Sequence, residues 1–217
     1  MESRRAWVAR ATAGVEEKRR YLEQRPPPLP DSIVLPAVGT TWVVEYRPGR
    51  GSDRAAAGAR GRGAIRMAAT AVARERTGGR IVVTGDVADP SACRAALCRW
   101  LRRKARKELA PRLAGLALRH GFEYRRVSVR QQRTRWASCS RRGTISLNAR
   151  LLFVPPEVVD YVLLHELCHT RELNHSRRFW TQLEAYDPAY RAHKKELRAA
   201  GVSLPAWLDH EPRRSAP

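Results

Sequence analysis

Pro155-Pro156-Glu157-Val158-Val159-Asp160-Tyr161-Val162-Leu163-Leu164-His165-Glu166-Leu167-Cys168-His169 reads as an apolar helix that ends in an H-E-x-x-H motif. Proline is tolerated in a first helical turn, and an acid there suits the helix dipole. At about 100° per residue, positions four apart differ by only about 40° around the axis, so His165 and His169 can point at one ion. Glu166 follows the first histidine, where its carboxylate can reach a water on the ion's open side. Zinc lowers the pKa of such a water towards about 7, and a neighbouring carboxylate can take its proton as it attacks. The motif therefore predicts a metallohydrolase site, with Glu166 as general acid/base.

Such a site needs a third protein ligand. His175 lies ten residues past His165 and six past His169, the spacing of the H-E-x-x-H-x-x-G-x-x-H proteases. On a continuous helix its imidazole would lie roughly 15 Å along the axis from His165, too far for a metal held at about 2.1 Å. The helix is thus expected to end between residues 170 and 174 and the chain to turn back. Position 172 is Glu where the turn glycine usually stands, so Asn174 is the candidate for a left-handed residue. Glu172, Glu184 and Glu196 are rival third ligands. Ser176 is expected to cap the next helix, whose Phe179 and Trp180 pack it on the metal-site helix.

Upstream, residues 124–130 alternate Val127 and Val129 against Arg126, Ser128 and Arg130, which predicts a strand. A polar turn over 140–143 leads to its predicted partner, residues 144–148. Leu97, Trp100, Leu101, Ala105 and Leu109 recur at helical spacing and predict a helix. Pro111 is expected to interrupt or restart it, with Leu113, Leu116 and Ala117 carrying on the apolar stripe, and Gly121 to stop it. Residues 40–46 (TTWVVEY) are β-branched and aromatic and read as a strand. Residues 47–63 read as a flexible Gly/Ala/Arg loop, and residues 77–80 as a turn into a short strand at 81–84. Residues 4–24 predict a helix with Trp7, Ala11, Val15 and Leu22 near one face, ended by Pro26, Pro27, Pro28 and Pro30. The order of elements makes the class α+β. The expected units are residues 1–38 (helix and linker), 39–88 (small β region), 89–204 (core) and 205–217 (tail).

Composition narrows the function classes. The chain has 217 residues, 42 Lys+Arg against 21 Asp+Glu, and a net charge of +21. The excess is spread over both halves, +8 in residues 1–100 and +13 in residues 101–217. Such a surface attracts polyanions, so nucleic acid or nucleotide contact is a candidate partner class. Only 5 of the 42 cations are lysine, a ratio that codon bias also produces. No stretch approaches the roughly 20 apolar residues of a membrane span, and the first residues lack the apolar core of a secretory signal. A cytoplasmic setting is expected, in which Cys93, Cys98, Cys139 and Cys168 are reduced thiols.

Taken together, Arg135-Trp136-Ala137-Ser138-Cys139-Ser140, Ile145-Ser146-Leu147-Asn148, His165-Glu166-Leu167-Cys168-His169 and Asn174-His175-Ser176 with Phe179-Trp180 resemble the YgjP-like metallopeptidase domain, related to SprT-like proteins. Ala137 stands where such proteins commonly have Gly. The resemblance implies a zincin-type peptidase core, with zinc held by His165, His169 and His175 and a polypeptide substrate. Arg135, Trp136 and Asn148 are candidates to line the substrate cleft, and Arg135, Tyr186, Tyr190 and His193 to stabilise an oxyanion. Two other functions compete: a metal-dependent nucleotide phosphoanhydride hydrolase, and a DNA-associated SprT-like protease.

Overall fold

A computed structural model describes residues 28–49, 66–71, 78–201 and 203–209. The helix expected over residues 4–24, most of the loop expected over 47–63, and the end of the tail lie outside these residues. The first strand, β1 (Ser32–Leu35), alternates exposed Ser32 and Val34 with buried Ile33 and Leu35. It pairs antiparallel with β2 (Thr40–Pro48), on which Trp42 and Val44 face inward. β2 continues two residues past Tyr46, into the segment expected to be loop. β3 (Arg66–Ala71) and β4 (Gly78–Gly85) complete a four-stranded sheet ordered β1-β2-β4-β3.

β4 runs parallel to β2, with Gly78 opposite Thr41. Gly78 and Gly79 are therefore strand residues, not the turn their composition suggests. At Gly78 φ is +127°, and an added Cβ would meet the Thr41 carbonyl oxygen at 1.6 Å. Only glycine allows the two backbones to approach this closely.

The sheet rests on α1 (Pro90–His120). Asp89 caps this helix by accepting from the Ser91 and Ala92 amides, and Gly121 ends it in the left-handed conformation at φ 67°. The ring of Trp42 meets that of Trp100 edge-on at 5.2 Å, which joins sheet and helix in one core. Pro111 does not interrupt α1. Leu109 and Leu113, both buried, carry the apolar stripe across it. Arg112 also fixes this turn: its Nη2 donates to Asp160 Oδ2 at 2.9 Å and to the Pro156 carbonyl at 2.8 Å, and Nη1 to the Ala37 carbonyl at 3.2 Å. Tertiary contacts thus outweigh the proline's missing donor.

After α1 come β5 (Arg126–Arg130), β6 (Ala137–Cys139) and β7 (Thr144–Asn148), a second sheet ordered β5-β7-β6. β5 and β7 pair as expected, in parallel. The turn over 140–143 instead joins β7 to β6, a strand too short and too mixed to be read from sequence. A 3-10 turn, Ala149–Phe153, leads to α2 (Pro156–Cys168), which carries the H-E-x-x-H motif. Val158, Val159, Leu163 and Leu167 on α2 are fully buried. α3 (Arg177–Tyr186) and α4 (Tyr190–Ala200) pack on α2, so the motif faces two helices and the short strand β6.

Candidate metal centre

α2 ends at Cys168, with His169 as its C-cap. This is two residues before the earliest expected end. Backbone bonds from Thr170 to Leu167, and from Arg171 and Glu172 to Cys168, tighten the last turn. No non-glycine residue among those described has positive φ, so Asn174 is not left-handed. Instead its Oδ1 accepts from the Ser176 amide at 3.1 Å, and Ser176 Oγ accepts from the Phe179 amide at 3.3 Å, starting α3. The reversal is made by these side chains rather than by backbone strain.

The turn returns His175 to the helix end. Its Nε2 lies 3.0 Å from His165 Nε2, which lies 3.2 Å from His169 Nε2. One ligand nitrogen from each of the three rings lies within 4.8 Å of the other two, the one such grouping of His, Cys, Asp and Glu found among the described residues. Glu172, Glu184 and Glu196 are not in it. Phe179 fixes the rings from below, with its centroid 4.8, 4.5 and 4.8 Å from those of His165, His169 and His175.

His169 Nδ1 lies 2.9 Å from the Glu172 carbonyl. Donation there places the proton on Nδ1 and leaves the Nε2 lone pair directed at the other two rings. Burial, with help from His169, His175 and Lys194, lowers His165 to about 3, and the same cause lowers His175, so both are neutral near pH 7. Converging lone pairs on neutral imidazoles are the donor set that suits zinc and similar ions. His165 Nδ1 and Glu166 Oε2 are buried with no hydrogen-bond partner. The residues present fit a metal ion.

Glu166 is only 5% exposed, and burial raises its carboxyl to about 8. Half-buried Cys139 on β6 is pushed up to about 11, by burial first and then by the Glu166 charge. Cys168 is fully buried, with its thiol raised to about 12. Neither thiol has the lowered pKa of a reactive cysteine.

The other expected residues separate. Asn148 is buried, its Nδ2 donating to the carbonyls of Gln132 at 2.7 Å and Arg135 at 2.6 Å, while its Oδ1 accepts from the Arg150 amide. Its bonds hold the 132–136 segment, with half-buried Trp136, against the sheet. Arg135 itself is exposed. The Tyr186 ring packs on His120 and Phe122, away from the three histidines, and its hydroxyl accepts from Arg171 at 3.2 Å. His193 Nδ1 lies 2.9 Å from Asp187 Oδ2, and its ring lies 6.4 Å from that of Tyr161. Tyr161 escaped the sequence reading. It lies one helical turn before His165, its ring 6.0 Å away, and its spacing from 165 and 169 was the available clue.

Basic side chains gather in two places. A cavity of about 570 Å³ between α1 and β5 is lined by Arg99, Arg102, Arg103, Arg106 and Arg126. A smaller one of about 340 Å³ lies beside the histidines, where the Trp180 ring stacks on that of His175 at 5.4 Å.

Among solved structures, the chain is similar to the metallopeptidase zymogen of Pyrococcus abyssi abylysin. Identity is 27%, 44% of this chain and 94% of that one are covered, and the TM-score is 0.39. It is also similar to the metallopeptidase zymogen of Methanocaldococcus jannaschii jannalysin, at 20% identity, with 45% and 98% covered and a TM-score of 0.39. No curated protein matches the chain. The family described as "YgjP-like, metallopeptidase domain" matches residues 1–200. Family metallopeptidases act as metal-dependent hydrolases, and with the match running through both sheets and all four helices of the described residues, the chain belongs to the YgjP-like metallopeptidase family.

Proposed function

We propose that the chain is a zinc-dependent peptidase in which His165, His169 and His175 hold the ion and Glu166 carries the proton. The observation behind this is the convergence of three imidazoles beside a buried carboxyl that has one oxygen without a partner. A bound zinc ion would polarise the scissile carbonyl and lower the pKa of a water towards about 7. Glu166 accepts the proton that the attacking water loses, then gives it to the leaving amine. Burial raises its proton affinity towards neutral pH, while a neighbouring dication offsets part of that rise. The Glu172 carbonyl holds His169 in its ligand tautomer, and Phe179 keeps the three rings together.

β6 is an edge strand of its sheet and packs against α2. An extended polypeptide can pair with that edge and pass over the histidines. Four cysteines without disulfides fit a reducing compartment. Among the described residues, no helix is long and apolar enough to cross a membrane.

The test compares cleavage of an unfolded protein by the wild type and by Glu166→Gln, both loaded with zinc. The variant is expected to keep about one zinc per chain and to lose roughly 10²–10⁴-fold in turnover. Equal turnover by the two would reject the role of Glu166. A panel of nucleoside triphosphates is expected to release no phosphate with either protein.

A further inference from the structure

The pocket beside the histidines is formed by Trp180 on α3 and by Tyr190, Arg191, Lys194, Lys195 and Arg198 on α4. Its floor is aromatic: the Trp180 and Tyr190 rings stack at 5.5 Å with 23° between their planes. The ammonium of Lys194 lies 4.2 Å from the Trp180 centroid, a contact that holds a flexible cation in place. Arg191 Nε donates to the Tyr190 hydroxyl at 3.1 Å. Lys194, Lys195 and Arg198 have no carboxylate within salt-bridge distance among the described residues. No acidic residue lines the pocket. Four cations thus surround an apolar floor, and that same Trp180 ring stacks on His175.

We propose that this pocket binds an acidic side chain of the substrate and so selects peptides with Glu or Asp near the cleaved bond. The proposal rests on the peptidase reading. The methylenes of Glu suit the aromatic floor, and its carboxylate meets the unpaired cations. From the His175 ring to that of Trp180 is 5.4 Å, and from there to the Lys194 ammonium 4.2 Å. An extended chain advances about 3.3 Å per residue, so the selected residue lies within about three residues of the scissile bond. Charge pairs in an open pocket are individually weak and screened by salt. Several acting on one carboxylate are expected to give about a tenfold preference for Glu over Gln at low ionic strength.

Peptide pairs carrying Glu or Gln at each of three positions on either side of one cleavage site, with amidated C-termini, test the proposal. The wild type is expected to show its preference in kcat/KM at one position, and added salt to reduce it. Lys194→Glu combined with Lys195→Glu is expected to abolish or invert it, and the milder Lys194→Gln to weaken it. Arg103→Glu, on the exposed arginine row of α1, changes net charge without touching the pocket and is expected to leave the preference intact. Equilibrium binding of the same peptides to Glu166→Gln is expected to rank them in the same order without turnover. Cleavage and binding that are indifferent to Glu at every position would overturn the proposal. So would a preference that appears only when the C-terminus is a free carboxylate, or one that Arg103→Glu removes equally. Selective binding by Glu166→Gln, with no cleavage by the wild type, would uphold the pocket and reject the peptidase reading instead.

Discussion

Asn148, at the end of β7, and Glu166, near the end of α2, are both buried polar side chains, 3% and 5% exposed. Their surroundings differ. Asn148 has both ends of its amide bonded, to two carbonyls and one amide of the chain segments it joins. Glu166 keeps a buried oxygen without a partner, one residue from a histidine whose Nδ1 is also unpartnered. A buried polar group left unsatisfied costs about 1–3 kcal/mol, and proteins keep such groups where chemistry uses them. One region spends its polarity on stability, and the other holds it ready for a ligand and a proton.

Substitution in each region should separate the two roles. The largest effect is expected at Glu166→Gln: turnover falls by roughly 10²–10⁴-fold, while the thermal midpoint of the metal-free protein stays level or rises. A large loss of stability in the metal-free variant would show that Glu166 belongs to the scaffold after all. Asn148→Ala is expected to do the reverse. It leaves two carbonyls and an amide without partners, a loss of about 2–4 kcal/mol by denaturant unfolding at roughly 1 kcal/mol each or somewhat more. Its folded fraction should bind metal as the wild type does. A stability unchanged within about 0.5 kcal/mol would remove Asn148 from the scaffold.

The smallest effect sharpens the same contrast on α1, far along the chain from the motif. Gly115 is an exposed helical glycine with nothing within 4 Å of an added Cβ. Gly115→Ala is expected to stabilise the protein by about 0.5–1 kcal/mol through helix propensity alone, with turnover unchanged. A loss of stability would mean that this face of α1 is packed against something.

The parts of the fold legible in the sequence are those set by local pattern. The β-branched and aromatic run at Thr40 to Tyr46, the apolar stripe of α1, and the run from Val158 to Leu167 are of this kind, whereas β1 (Ser32–Leu35) lies in the segment expected to be linker. Features decided by distant partners were not legible. Pro111 stays helical because Arg112 is anchored to Asp160 and to two backbone carbonyls. Gly78 sits in a strand because Thr41 passes close by. β6 exists because Leu147 and Ile145 present an edge to it. At the site, the histidine spacing gave the metal reading and the requirement for a reversal, but the device was misjudged. Asn174 acts through its side chain, not through left-handed backbone. Tyr161 was missed, and Trp180 and Tyr190, expected as a packing residue and an oxyanion candidate, were not expected to stack beside Lys194 in one pocket, because that arrangement depends on how α4 packs on α2.

Metal content of the purified wild type and of His175→Ala, measured by elemental analysis alongside zinc competition titration, tests the three-histidine centre most directly. The wild type is expected to hold one zinc per chain. His175→Ala, which lacks one of three ligands, is expected to bind at least about 100-fold more weakly and to recover no zinc after dialysis. A wild type without stoichiometric metal, or a His175→Ala variant that binds zinc as tightly, would contradict the account.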